Sequence, residues 1–230
     1  MSTTIFYAPK TSGNTIIAIN TALACQQLNP NKKYGLLQLS HYPDLHLFIG
    51  AKPTPSLDQI LPFWGTKEWG KSIISKITQH ANIDIILSPK DKWPDINSTE
   101  LLPAFLTLLQ DHYDEVFIDI NIPETDQLFN LIMKSAGNII ISTLPDPASL
   151  ESVKTFARRF PKLQKKSQLI VNQAAPTLTA RLQSDLPLPL LGSLPSDNRR
   201  IWSQIYEGFP VVFQKRSKLK KAFINLAKTL

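Results

Sequence analysis

The sequence predicts an α/β protein in which helices cover both faces of a mainly parallel, doubly wound sheet, giving three α/β/α layers. Short apolar runs alternate with helical patterns along all 230 residues, as expected for a chain of βαβ units. Most runs are continuous rather than alternating, which is typical of strands buried on both faces. Right-handed crossovers would then place helices on both sides of the sheet.

Seven strands and seven helices follow from these patterns. The predicted strands cover residues 3–8, 34–39, 83–87, 115–120, 138–143, 168–172 and 188–192. The predicted helices cover residues 15–27, 67–80, 97–112, 124–136, 147–160, 198–207 and 216–228. Asn97 followed by Glu100 resembles a capping signal, and Pro147 suits a first helical turn. The prolines cluster at element ends and form no linker, so residues 1–230 are expected to form one domain.

The charge balance favours an anionic partner, whether nucleic acid, anionic lipid or an acidic protein. The formal net charge is +7, and much of the excess lies in two clusters, which could also be ordinary solvated surface. The first basic cluster comprises Arg158, Arg159, Lys162, Lys165 and Lys166. The second basic cluster comprises Lys215, Arg216, Lys218, Lys220 and Lys221.

Cysteine content and hydropathy indicate the cytoplasm. Cys25 is the only cysteine, so an intramolecular disulfide is excluded, and its apolar neighbours favour a buried core position. No apolar run is long enough for a transmembrane segment, and the N-terminus lacks the features of a secretion signal.

Residues 4–20 have the outline of a strand, a phosphate-binding loop and a helix. A working loop of this kind needs glycines, so that backbone N–H groups can approach phosphate oxygens, and a lysine before the Ser/Thr. Gly13 is the only glycine here, and Asn14 stands where that lysine would be. The outline therefore predicts a phosphate-loop position whose chemistry is impaired.

Several further segments support this interpretation because they occur in a characteristic order. They are residues 8–24, 35–40, 43–50, 113–119, 169–172, 191–197 and 207–212. Together they resemble the MinD/ParA family of deviant Walker ATPases, and within it the CpaE/TadZ branch associated with pilus assembly. The resemblance covers nearly the whole chain and implies the P-loop NTPase fold of the SIMIBI/MinD type. Family members pair face to face across the nucleotide site.

The resemblance assigns nucleotide-binding roles to the loop. Lys10 corresponds to the family's signature lysine if the loop is one residue short, whereas an ungapped alignment places Pro9 there. In both alignments Asn14 replaces the second lysine, and an amide cannot offset phosphate charge. Thr15 stands where a hydroxyl would bind Mg²⁺, or it simply begins the helix. Gly13 would supply a backbone contact to phosphate.

The resemblance also implies that some carboxylates that bind the metal and position water in the family are absent from this sequence. Gln38 and Ser40 occupy the positions of second-strand carboxylates, and neither can be an anionic Mg²⁺ ligand or a general base. Asp44 would substitute if its loop folds back. Asp119 matches the Walker B aspartate and would be a Mg²⁺ ligand, although a strand-end aspartate can also cap a turn. Asn172 matches the family's adenine-contacting asparagine.

These losses predict a pseudo-ATPase that acts as a spatial organiser or assembly scaffold, for instance of a pilus or secretion system. Lys10, Asp44 and Asp119 would be vestigial catalytic residues. ATP would bind weakly through Lys10, Gly13, Asn14, Thr15 and Asn172, with Mg²⁺ at Thr15 and Asp119. Protein partners would be a second copy or an active paralogue.

Two other functions stay open on the sequence. One is a working ATPase in which Lys10 and Asp44 assume the missing roles. The other is a partition-type protein that binds DNA through the two basic clusters. The C-terminal segment 216–230 would either pack on the sheet or lie on an anionic membrane at the inner face, and helix periodicity favours packing.

Overall fold

A computed structural model describes residues 2–51, 56–57, 78–88, 101–175, 177–178, 182 and 185–230. Its strands form one eight-stranded sheet in the order β3-β4-β2-β5-β1-β6-β7-β8. They are β1 (Ser2–Tyr7), β2 (Tyr34–Ser40), β3 (Thr78–His80), β4 (Ile83–Ile86), β5 (Glu115–Asn121), β6 (Asn138–Thr143), β7 (Ser167–Asn172) and β8 (Leu190–Leu194). All neighbouring strands are parallel except β3 and β4. The predicted fold class is confirmed.

Helices cover both faces of this sheet and define two apolar cores. The described helices are α1 (Asn14–Leu28), α2 (Leu101–His112), α3 (Gln127–Ser135), α4 (Pro147–Arg159), α5 (Asn198–Glu207) and α6 (Lys218–Ala227). Helices α2, α3 and α4 pack on one face. Helices α1 and α6 pack on the other, with α5 at its margin. Short 3₁₀ turns lie at Leu47–Ile49, Pro161–Lys166 and Val211–Phe213.

Helix α1 is apolar on most sides because it lies between the sheet and α6. Ile17, Ala18, Ile19 and Ala22 are each at most 1% exposed, the pattern of a helix enclosed by protein. Its N-terminus faces the carboxyl end of β1, so the loop between them occupies the place where α/β sheets bind ligands.

The third strand corrects one sequence prediction. The helix predicted over 67–80 is wrong at its end, because Thr78–His80 pairs antiparallel with β4. Ala81 and Asn82 form the connection with φ of 52° and 63°, the backbone of a two-residue hairpin turn. The sequence did not predict this hairpin, because the turn contains no glycine, the residue that usually indicates a positive φ. Residues 67–77 and the capping residues Asn97 and Glu100 lie outside the described residues.

The C-terminal helix packs on the protein. Leu219, Phe223 and Leu226 of α6 are buried against α1 and the sheet, as the packing alternative expects. Within the described part of the chain, no helix combines the length and apolar character needed to cross a bilayer.

Candidate functional site

Polar side chains from neighbouring strands meet at the carboxyl edge of the sheet. Gln38 comes from β2, Asp119 from β5, Ser142 from β6 and Asn172 from β7, while β1 leads into the loop 8–13. Gln38 and Asp119 are also paired in register. The fold thus brings residues far apart in sequence around one loop.

Asn14 and Thr15 at the start of α1 both donate hydrogen bonds to Asp119. Asn14 Nδ2 lies 2.8 Å from Asp119 Oδ1, and Thr15 Oγ1 lies 2.8 Å from Asp119 Oδ2. Ser142 Oγ in turn donates to Asn14 Oδ1 at 2.9 Å. The amide of Asn14 therefore bridges two strands on either side of β1, and both Asp119 oxygens accept a hydrogen bond.

The interior of the loop is filled by its own partners. The hydroxyl oxygens of Ser12 and Ser142 are 2.7 Å apart, and Asn172 Nδ2 donates to the Ser12 carbonyl at 2.7 Å. Gly13 adopts φ of 79°, and a Cβ there would lie 3.2 Å from Asn172 Nδ2. Asn172, predicted to contact adenine, joins the loop to β7 through this hydrogen bond.

Asp119 is fully buried, and this sets its protonation chemistry. Burial raises the pKa of Asp119 to about 6, partly offset by hydrogen bonds from Thr15, Asn14 and Gln38 and reinforced by the charge of Asp44. A carboxylate in this setting needs its donors, because an unpaired buried charge is costly.

Gln38 holds the following loop against the site. Its Nε2 donates to Asp44 Oδ1 at 2.7 Å, and its Oε1 accepts from the backbone N–H of Leu45 at 3.1 Å. Ser40 is also buried, and its N–H donates to Ser88 Oγ at 2.7 Å. Asp44 does fold back toward Asp119, but its carboxylate is engaged by an amide.

Lys10 lies apart from this network. Its Nζ is 3.9 Å from Asp146 Oδ1, and both side chains are substantially exposed. Asp146 caps α4 by accepting hydrogen bonds from Ser149, which lower the pKa of the Asp146 carboxyl. Lys10 also lines a cleft of about 1050 Å³ beside the loop, together with Tyr42 and Arg159.

These residues do not fit a bound Mg²⁺–nucleotide. The side chain that begins α1 is the neutral amide of Asn14, and each oxygen of Asp119 already accepts a hydrogen bond from a protein donor. Triphosphate binding depends on cations close to the phosphates. Within the described ranges, no group of three His, Cys, Asp or Glu side chains is arranged to hold a metal ion.

The first basic cluster is largely engaged within the protein. Arg158 pairs with Glu151 and Arg159 with Glu124, each at 2.7 Å between a guanidinium nitrogen and a carboxylate oxygen. Lys166 Nζ donates to backbone carbonyls at the end of α3, the shortest contact being 2.7 Å. In the second basic cluster Lys220 donates to a backbone carbonyl, while Lys215 and Arg216 are exposed.

Comparisons with known proteins establish the fold. A ParA family ATPase from Chlorobium tepidum TLS has a TM-score of 0.84 and 20% identity, over 100% of this chain and 99% of that chain. MinD of Aquifex aeolicus, solved in a MinC:MinD complex, gives 0.77 and 15%, over 100% and 95%. The MinD of Pyrococcus horikoshii OT3 complexed with Mg-ADP gives 0.75 and 23%, over 99% and 94%. No protein-family model and no curated protein sequence matches this chain significantly.

The chain therefore has the MinD/ParA type of P-loop NTPase fold. Gly13, Asn14, Thr15, Asp119 and Asn172 converge at its carboxyl edge, whereas Lys10 lies outside their hydrogen-bond network and faces Asp146. Two members of the network were missed by sequence reasoning, Ser12 and Ser142. A serine that ends the isoleucine run of β6 is the one signal that could have indicated Ser142.

Proposed function

We propose that this chain is a catalytically inactive MinD/ParA-like protein that serves as a spatial organiser or assembly scaffold. The observation that carries the proposal is the closed network joining Asn14, Asp119 and Ser142. The Asn14 amide and the Thr15 hydroxyl satisfy the buried carboxylate of Asp119, and Ser142 donates to the same amide, so the start of α1 has protein partners where a phosphate and a metal would otherwise be held.

Loss of charge is the physical reason to infer inactivity. Phosphoryl transfer is accelerated mainly by positioned cations and a positioned water. Asn14 supplies no charge, and Gln38 and Ser40 supply no base. The one lysine of residues 8–15, Lys10, is directed to Asp146.

The scaffold would associate through the carboxyl edge with a second copy or an active paralogue. Exposed Lys10 and Tyr42 lie in the cleft at this edge. We further propose a cytoplasmic location and, from the resemblance to the CpaE/TadZ branch, a role at a pilus or secretion machine. Helix α6 buries its apolar face, which argues for protein partners rather than lipid at that helix.

A hydrolysis assay tests the central claim. Purified protein with Mg²⁺ and ATP is expected to release phosphate no faster than the Asp119→Ala variant, and calorimetry is expected to give no heat on titration with Mg-ATP. Hydrolysis that Asp119→Ala abolishes would establish the alternative of a working ATPase with a rearranged loop.

Analytical ultracentrifugation tests the scaffold itself. Self-association is expected to be the same with and without Mg-ATP, since the loop is already ordered. Lys10→Glu is expected to weaken it, whereas Lys162→Glu makes the same charge change at an exposed position away from the edge. Association that appears only with nucleotide would contradict the proposal, and a monomer at all concentrations would leave only an active paralogue as partner.

A further inference from the structure

Helix α5 presents an aromatic and basic groove that the closed loop network does not use. Of its ten residues only Gln204 is fully buried. Trp202 is 53% exposed and Tyr206 72% exposed. Burial of a large aromatic side chain lowers the free energy considerably, so two such side chains exposed on one helix face indicate a binding surface.

The two rings form a flat platform. Trp202 and Tyr206 lie one helical turn apart, their ring centroids are 4.8 Å apart, and their planes differ by 1°. Each ring holds the other in place, so a third planar group could stack on the pair without first ordering it.

The lining of the groove restricts the class of ligand. It encloses about 690 Å³ between α5 and the segment 209–215. Its apolar lining residues are all aromatic, namely Trp202, Tyr206 and Phe209, and none is aliphatic. An aliphatic side chain or a lipid tail would find no aliphatic surface to pack on in this groove, whereas a planar ligand ring would find three aromatic rings.

Cations accompany the rings. Arg199, Arg200 and Lys215 line the groove against a single carboxylate, Glu207. None of the ion pairs between described side chains involves these three cations. The positive charge continues beyond the groove through exposed Arg216 and Lys218 at the start of α6. The basic surface is therefore longer than a single planar ring bound in the groove.

We propose that the α5 groove binds single-stranded nucleic acid, with a base stacked on the Trp202–Tyr206 platform and phosphates beside Arg199 and Lys215. Stacking platforms within basic grooves recognise single strands in this way, without reading sequence. The bases of a duplex are enclosed and cannot reach the platform. This activity goes beyond the scaffold role and does not depend on it.

Two structural features keep the groove in shape. Arg200 Nη1 donates to Gln214 Oε1 at 3.4 Å, and Gln214 Nε2 donates to the Arg200 carbonyl at 3.0 Å. These hydrogen bonds join the two walls. At the end of α5, Gly208 has φ of 64° and packs against the backbone of Gly50. The groove is therefore preformed in the folded chain.

Fluorescence anisotropy with the full chain tests the proposal, using a labelled oligothymidylate of about 20 nucleotides at low salt. Trp202→Ala and Tyr206→Ala are each expected to weaken binding about tenfold, the typical effect of losing one stacked ring. The Trp202→Phe/Tyr206→Phe variant keeps the flat surfaces and is expected to bind nearly as tightly as the parent. Leu28→Ala removes an exposed apolar side chain at the end of α1, outside both clefts, and is the control.

Charge is tested separately. Arg199→Glu/Lys215→Glu is expected to weaken binding and to reduce the slope of log affinity against log salt by about 0.7 for each phosphate that the protein no longer neutralises. Lys162→Glu/Lys165→Glu makes the same change of net charge on another exposed surface and is expected to leave the slope unchanged. A thermal unfolding midpoint for each variant verifies that it folds.

Several results would overturn the proposal. They are no saturable binding of the oligothymidylate, equal reductions of affinity in the target and control variants, or tighter binding of a duplex of the same length. Stronger binding of polyglutamate or of phosphatidylglycerol vesicles would assign the groove to an acidic protein or a membrane surface. Binding of AMP as tightly as the oligonucleotide would make it a mononucleotide site.

Discussion

Asn14 at the start of α1 donates a hydrogen bond to Asp119 on β5, 105 residues away, at 2.8 Å between Nδ2 and Oδ1. The same amide accepts from Ser142 on β6. One neutral side chain thus connects the strands on both sides of β1. The hydrogen bonds of this amide are therefore an internal structural link between the start of α1 and the sheet.

The Asn14→Ala variant is expected to lose about 2 kcal/mol of unfolding free energy. We expect this loss because the buried carboxylate of Asp119 loses one of its hydrogen-bond donors, and a hydrogen bond to a charged group contributes about 1.5–3 kcal/mol. Urea denaturation measures the change. Thr11→Ala, at an exposed position of the same loop, is the control and is expected to be close to neutral. A destabilisation of Asn14→Ala no larger than that of this control would contradict the bridging role.

Stability is expected to depend on pH through Asp119. Burial raises the pKa of Asp119 from 3.8 to about 6 in the folded protein. Between these values the native state retains a proton that the unfolded state has released, so the unfolding free energy falls as pH rises through the window. A shift of this size corresponds to about 3 kcal/mol.

The pH effect is isolated by comparison with Asp119→Asn. Denaturation of both proteins at intervals from about pH 4 to pH 7 gives their difference, in which other groups such as Glu115 cancel. The parent is expected to lose stability relative to the variant as pH rises. A constant difference across the window would show that Asp119 does not titrate there.

Gly208→Ala is expected to destabilise the protein by about 2 kcal/mol or more. Gly208 ends α5 with φ of 64°, where a side chain is strained. An added Cβ would also lie 2.5 Å from both Cα and N of Gly50. Gly192→Ala is the control, because nothing lies within 4 Å of its added Cβ. Equal thermal midpoints for the two variants would contradict the close approach of Gly208 to Gly50.

Cys25 is expected to be inert while the protein is folded. It is 2% exposed, and burial raises the pKa of the Cys25 thiol to about 12, so the reactive thiolate is scarce. Labelling with Ellman's reagent near pH 8 should proceed only as fast as the protein opens, and at once in urea. Since Cys25 is the sole cysteine, rapid labelling of folded protein would contradict its burial directly.

Much of the fold follows from local patterns. The continuous apolar run in β6 and the first-turn proline of α4, Pro147, act over a few residues, and the structure places both elements as predicted. The hairpin joining β3 to β4 was not predicted, because Ala81 adopts a positive φ that is unusual for alanine. Proline shifted another boundary: β8 begins at Leu190, after Pro189, rather than at Leu188.

The site was predictable only in part, for the same physical reason. Sequence alone determined that Asn14, Gln38 and Ser40 carry no charge, because their side chains are neutral whatever their surroundings. Only the tertiary structure decided what the loop contacts, since the partners Asp119, Ser142 and Asn172 reach it through parallel pairing of strands distant in the chain. Likewise, periodicity places Trp202 and Tyr206 on one face of α5, but only packing determines that this face is uncovered.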